Sequence, residues 1–331
     1  MIGVLQKGDG WPLQQQQKQP KTMHKTHLLV TPNSKIWWCS QSTGPSFFRR
    51  KSNDQIEAFI TGRDADGISR IGTATINKIQ NGSLVLEQIS NKVVFDIGES
   101  GCFDENGVSY PWIVEHNSKE FMFYVGWVKG GKNRFQNFLG LAIRNKEEEF
   151  FTRISKSPIM DRSNEEPYGI GSCCVVRESG RWLMLYTSFL PWNQDKYKSL
   201  SHPHSQPSYN IKYAYSDNLI DWQRSNESIL DFQDKEHIHG KPVASQESNG
   251  EWNLYFSVRG DSYRIAFACG SDLMFLKRGA NLVFQNSDWI SMTQEYAFPL
   301  TIDGWQYLFF NGNGYGRSGL GYAVLNKGAS L

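Results

Sequence analysis

One pattern constrains this chain more than any other: a short aromatic-rich segment returns five times. It stands at Gln55–Gly62 (QIEAFITG), Glu120–Gly126 (EFMFYVG), Arg181–Ser188 (RWLMLYTS), Glu251–Arg259 (EWNLYFSVR) and Gly304–Gly312 (GWQYLFFNG), and these starts lie 65, 61, 70 and 53 residues apart. After each copy comes a strand-like segment with small residues at its centre: SRIGTATI from Ser69, FLGLAI from Phe138, NIKYAYS from Asn210, YRIAFACGS from Tyr263 and GLGYAVL from Gly319. Before each comes a third: GPSFF from Gly44, YPWIV from Tyr110, GSCCVV from Gly171, KPVAS from Lys241 and FPLTI from Phe298. Short strands at a repeating interval, none able to bury both faces alone, signal a radially repeated β-architecture. The pattern predicts an all-β chain folded as a five-bladed β-propeller, with its functional site at the central axis.

Fourth strands are expected where an aromatic is closely followed by a base, at Phe151-Thr152-Arg153, Trp222-Gln223-Arg224 and Phe275-Leu276-Lys277. The fifth unit ends at Leu325 with nothing after it to serve. The apolar run His27–Val30 is the candidate to fill that place, closing the ring from the N-terminal side and removing an open edge. Ahead of it, Lys7–Thr22 is polar, glutamine-rich and broken by proline. The expected organisation is therefore an arm over residues 1–24 and one propeller over residues 25–331. Thirty-five Lys plus Arg against 33 Asp plus Glu leave a formal charge of +2, with no basic stripe for a nucleic acid. Five cysteines without a CxxC pair predict reduced, structural thiols. No segment has the length of a membrane helix and no leader is evident, so the expected location is cytoplasmic.

The blade text, in forms such as YNIKYAYSDNLIDWQR and EYAFPLTIDGWQYLFFNGNGYGRSGLGYA, resembles the five-bladed propeller glycosidases. That superfamily holds arabinanases, xylosidases, invertases, levansucrases and the related mannoside phosphorylases. More narrowly the chain is similar to glycosidase-like proteins of bacterial surface-polysaccharide clusters, over roughly Lys25 to Leu325. The resemblance implies a carbohydrate or sugar-phosphate ligand in an axial pocket, lined by acids from the segments entering each blade.

The sequence offers such acids independently. Segments entering the first strands carry Asp104 and Glu105, Glu165 and Glu166, Asp234 and Glu236, and Glu295. Glycoside cleavage uses two carboxyl groups, one as acid and one as base or nucleophile. Asp104, Glu166, Glu236 and Glu295 are thus the catalytic candidates, with Glu236 expected as general acid because His239 and Lys241 share its loop. Asp104, Glu236 and Glu295 are expected to converge on one funnel and to raise one another's pKa values. Arg63, Asp64, Arg259 and Arg317 follow blade strands, where planar guanidinium groups suit a carboxylate or phosphate. Together with His239 and Trp127 they are the substrate-binding candidates, and Trp192 and Tyr315 are further stacking aromatics. His202 and His204 are too few for a metal site, and this chemistry requires neither metal nor cofactor. In one respect the chain departs from the hydrolytic members, which carry an essential aspartate entering the first blade: no acid lies between Trp37 and Arg50 here. The readings are an enzyme acting on a glycosidic bond, a phosphorylase or transferase using an anionic sugar or phosphate, and a propeller that binds carbohydrate without cleaving it.

Overall fold

The structure, a computed structural model, describes residues 23–193 and 206–326; the Lys7–Thr22 arm, His202 and His204 lie outside them. Almost every described element is a strand, and the strands fall into five antiparallel groups of four. Unit one is Ser42–Arg50, Gln55–Arg63, Ser69–Lys78 and Leu84–Phe95. Unit two is Gly107–His116, Lys119–Lys129, Phe135–Asn145 and Thr152–Arg153. Unit three is Ile170–Glu178, Arg181–Asn193, Gln206–Ser216 and Gln223–Ser228. Unit four is Ile238–Gln246, Trp252–Arg259, Tyr263–Gly270 and Lys277–Arg278. Unit five is Glu295–Ile302, Trp305–Asn311 and Leu320–Asn326, and its fourth strand is Thr26–Val30, antiparallel to Leu320–Asn326. The segments read as strands from the sequence are strands, although the long Leu84–Phe95 strand carried no signal that singled it out. Met23–His24, from the end of the expected arm, pairs with Val283–Phe284.

The second strands are buried because they alternate large apolar residues that point into both faces: Ile56, Phe59 and Ile60, Met122 and Phe123, Leu183 and Leu185, Leu254 and Phe256 are all at most 0–1 % exposed. A strand buried on both faces reads as a nearly continuous apolar run. The small residues at third-strand centres make room for rings. A Cβ on Gly72 would collide with the Trp38 indole, as would one on Gly62 of the adjacent second strand; one on Gly140 would meet the Tyr124 ring, and one on Gly321 Trp289.

First strands touch their neighbours in sequence. Phe47 of unit one packs 5.4 Å from Trp112 of unit two, whose Nε1 donates to Val175 O of unit three at 2.9 Å. Ala244 N of unit four donates to Cys174 Sγ of unit three at 3.2 Å, and Lys241 Nζ donates to Ala297 O of unit five at 3.0 Å. Phe298 of unit five returns to Phe47 at 5.2 Å. All five cysteines are free thiols, and burial pushes Cys39 and Cys174 up to about 12. Among the described residues no helix is long and apolar enough to cross a membrane.

Candidate active site

Three of the four expected catalytic acids are held inside their own units. Asp104, fully buried, accepts hydrogen bonds from Tyr124 Oη at 3.0 Å and Arg153 Nε at 2.7 Å. Glu166 accepts from Tyr186 Oη at 2.9 Å and Arg224 at 3.3 Å, with Lys212 Nζ at 3.5 Å. Glu236 is bonded to His239 Nε2 at 2.8 Å and Arg278 at 3.3 Å, and also accepts from Gln233 N at 3.1 Å. In each unit the partner arginine comes from the fourth strand or its end, so the carboxylate ties the entry loop to the outermost strand. Two of the bases that mark the fourth strands in the sequence, Arg153 and Arg224, make these pairs, and in unit four the partner is Arg278, next to the marker Lys277. Among the described residues no hydrogen bond or ion pair joins these three acids to one another or to Glu295, and each is neutralised inside its own unit. Glu236 is also unsuited to the expected role of general acid. Burial pushes its pKa up, but the bonds from His239 and Gln233 N–H and the charges of His239 and Arg278 outweigh it, so it lies below the usual range.

Two expected ligand contacts are likewise committed elsewhere. Asp64 closes its own turn: its Oδ1 accepts from Asp66 N at 3.0 Å and Ile68 N at 2.9 Å, and its Oδ2 pairs with Arg70. His239 is sealed between Phe232 and Phe256, at 4.7 and 5.1 Å. Arg317 is exposed on the turn Asn313–Gly316.

The remaining candidates do meet. In every unit the first and second strands begin pairing at a step within two residues of a bulge: Ser42↔Arg63, Gly107↔Trp127, Ile170↔Ser188, Ile238↔Arg259 and Glu295↔Asn311. A bulge follows each step, re-aiming the next side chain. In three units a non-glycine residue of the bulge is left-handed: Tyr110 (φ 55), Lys241 (φ 50) and Tyr296 (φ 62). Each kink is pinned by a hydroxyl of the preceding unit's second strand. Tyr110 N donates to Thr61 Oγ1 at 3.1 Å, Lys241 N to Thr187 Oγ1 at 3.3 Å and Tyr296 N to Ser257 Oγ at 2.9 Å. Left-handed backbone costs an L-residue about 1–3 kcal/mol and gathers at functional sites.

These kinks build a tyrosine cluster. Tyr110 and Tyr296 lie 5.5 Å apart, with Tyr315 at 6.3 and 5.5 Å from them. Gly44 is what lets Tyr315 in, since a Cβ there would stand 2.7 Å from its ring. Tyr209 and Tyr263 share a 2.7 Å hydrogen bond, and their charges act on Tyr110 or Tyr296. Arg63 lies over Tyr315, its Cζ 4.5 Å from the ring centre and 5.8 Å from that of Trp127. Trp127 is fixed by its Nε1 bond to Ser69 Oγ at 2.9 Å. Arg259 lies over Tyr263 at 5.2 Å and donates to Gln206 Oε1 at 3.4 Å. Glu295, 3 % exposed, accepts from Thr293 Oγ1 at 2.7 Å. Its pKa is raised: burial dominates over the Thr293 and Tyr296 hydroxyls, the Tyr315 N–H and the Arg259 charge. Burial also lifts the phenols of Tyr110, Tyr209 and Tyr296 well above their ordinary value. Beneath them, burial lowers Lys241 to about 7.

Of the expected residues, the structure therefore brings together Glu295, Arg63, Arg259, Trp127 and Tyr315. Tyr110, Tyr209, Tyr263, Tyr296 and Gln206 were not anticipated. Two of the kinked residues precede a proline, Tyr110-Pro111 and Lys241-Pro242, where extended backbone is the expectation, so no sequence signal marked their left-handed conformation.

No family model matches the chain. The uncharacterized protein MT1551 of Mycobacterium tuberculosis is 24% identical over 306 residues, covering 92% of this chain and 99% of its own length. A glycosyl hydrolase from Bacteroides ovatus superposes with a TM-score of 0.67 at 14% identity, over 94% of this chain and 96% of its own. The protein has the fold of the propeller-type glycosidases. Other matches to that fold include a structure from work on the GH130 family of mannoside phosphorylases and its glycoside hydrolases of β-1,2 mannosidic linkages in Candida mannan. Its TM-score is 0.65 at 14% identity, covering 93% and 96% of the two chains. The sucrose-6-phosphate hydrolase of Lactobacillus gasseri superposes at 0.61 and 12% identity, over 88% of this chain and 56% of its own.

Proposed function

We propose that the protein is an enzyme acting on a glycosidic bond, with Glu295 as its proton donor in an axial recess walled by tyrosines. On this reading the five units are the blades of a five-bladed propeller, Thr26–Val30 closes it, and residues 25–331 form one body. The observation that carries the proposal is the state of Glu295. It is a nearly inaccessible carboxyl with a raised pKa, among strained tyrosines, in a fold shared with glycosidases. A carboxyl kept protonated toward neutral pH can hand its proton to a leaving oxygen. The phenol rings offer faces for a sugar ring and hydroxyls for its oxygens.

A second reading is favoured by one specific observation. Two-carboxylate hydrolysis needs a partner acid, and the segment that enters unit one carries none between Trp37 and Arg50. Transfer to a phosphate or to another sugar hydroxyl uses an incoming nucleophile in place of an activated water. Incubation of the purified chain with an oligosaccharide panel, with and without phosphate, separates the two readings. Free sugar indicates hydrolysis and phosphate-dependent product indicates phosphorolysis. Glu295→Gln abolishes either product; turnover that survives this change overturns the assignment of Glu295.

A further inference from the structure

We propose that the tyrosine recess recognises an oxyanion, a carboxylate or phosphate group, and that Arg63 is the residue that reads it. The inference deepens the carbohydrate reading and rests on it for the sugar, but not for the anion.

The charge inventory comes first. Arg49, Arg70, Arg144, Arg153, Arg224 and Arg278 each form an ion pair with a carboxylate. Among the described residues Arg63 and Arg259 form none. The carboxylate adjacent to Arg63 in the chain, Asp64, is committed to Arg70 and two backbone N–H groups. The recess thus gathers two guanidinium groups against one carboxyl, Glu295. Guanidinium groups in excess of carboxylates, placed among half-buried rings, attract an anion from solution.

Geometry then says how the anion sits. Arg63 lies over Tyr315 and close to Trp127, so ring packing occupies its faces and leaves its edge, where the N–H groups project in a fork. That fork matches two oxygens of a carboxylate or phosphate. Arg63 Nε is buried and has no acceptor. A second orphan donor stands at the other arginine: Gln206 is 2 % exposed, its Oε1 accepts from Arg259, and its Nε2 has no partner. Buried donors without acceptors are costly, and a ligand bearing oxygens at both places would satisfy them. Arg63 and Arg259 each end the second strand of their unit, one and two residues beyond the partner of the bulge.

Titration calorimetry on the full chain at low ionic strength tests this, with glucuronate, glucose 6-phosphate, inorganic phosphate and glucose as probes. At least one anion is expected to bind about tenfold or more tightly than glucose. Arg63→Gln erases that preference, and Arg63→Lys, which keeps the charge but loses the fork, restores only part of it. Inorganic phosphate binding as well as glucose 6-phosphate identifies free phosphate as the source; preference for glucuronate or glucose 6-phosphate identifies a charged sugar. Glucose equal to the anions, no binding by any probe, or an unchanged preference in Arg63→Gln of wild-type Tm overturns the proposal. Glu295→Gln is expected to keep the anion preference. Anion binding without any glycosidic turnover would then defeat the proposed function and leave this subsite standing.

Discussion

The carboxylates of units two to four and the carboxylate of unit five enter their blades only a few residues apart in register, yet they are used in opposite ways. Asp104, Glu166 and Glu236 precede the first paired residue, and each meets an arginine from its own fourth strand. Glu295 is itself the first paired residue. That position places it beside the tyrosine cluster, where among the described residues it has no ion-pair partner. The entry loops of units one and five show what the clamp is for. Where the other units have an acid, these have short 3₁₀ turns, Trp37–Cys39 and Asp288–Ile290. Trp38 spans unit one to donate to Ser90 O on the fourth strand at 2.9 Å, and Trp289 stacks 5.1 Å from Phe310. An indole and an acid–arginine pair are thus two solutions to one packing problem. Recurrence of a carboxylate around the repeat marks structure, and the break in recurrence falls at the proposed site.

The largest test of that contrast removes a carboxyl group on each side of it. Glu295→Gln should lower turnover by about 10²–10⁴ with little change in Tm, because a positioned proton donor contributes on that scale. Asp104→Ala should do the reverse. Removing one member of a buried ion pair costs about 3–5 kcal/mol, at the lower end here because Arg153 retains some access to water. Thermal unfolding should show the loss while the folded fraction keeps its specific activity; loss of activity without loss of stability would place Asp104 in the site after all.

Lys241 sharpens the comparison by pH. Its folded pKa is lowered to about 7 from 10.5 by burial. Below about 7 both states hold the proton and the burial cost is fully felt. Between about 7 and 10.5 the unfolded chain binds more protons, so wild-type stability rises with pH across that window. Lys241→Met should flatten the rise and be more stable at pH 6, by on the order of 2 kcal/mol once the lost bond to Ala297 O is set against it. Equal pH slopes for the two proteins would show that the lysine titrates normally. The smallest effect is expected at Arg317, exposed on its turn: Arg317→Ala should change stability by less than about 0.5 kcal/mol.

How much of this was legible in the sequence follows the same division. Strand positions were readable because each strand carries its own apolar and aromatic run. The recurring acids were readable too, but their recurrence pointed toward a shared funnel, and only the positions of Arg153, Arg224 and Arg278 reveal that each is neutralised at home. Arg153 and Arg224 were readable as fourth-strand markers without their partners, and in unit four the marker was Lys277, beside Arg278. The tyrosines escaped because their convergence depends on a bulge and a left-handed backbone at Tyr110 and Tyr296. A one-residue irregularity sets the direction of a side chain there, and composition and period do not encode it. The fold came from repetition, whereas the site came from its exceptions.

The pairing of Thr26–Val30 with Leu320–Asn326 has a consequence in time. At about 5–20 residues per second of synthesis, roughly a quarter to a full minute separates the making of these two strands. Throughout that interval the N-terminal strand has no partner, and the third strand of unit five does not yet exist. Units one to four can assemble as they emerge, each from contacts close in sequence. The last sheet must bring together segments nearly the whole chain apart, and such distant pairing is slow. For that period the nascent protein presents an apolar edge of the kind that recruits stray strands, so a chaperone that shelters the segment around Thr26–Val30 would raise the yield of folded protein more than one acting on any other strand.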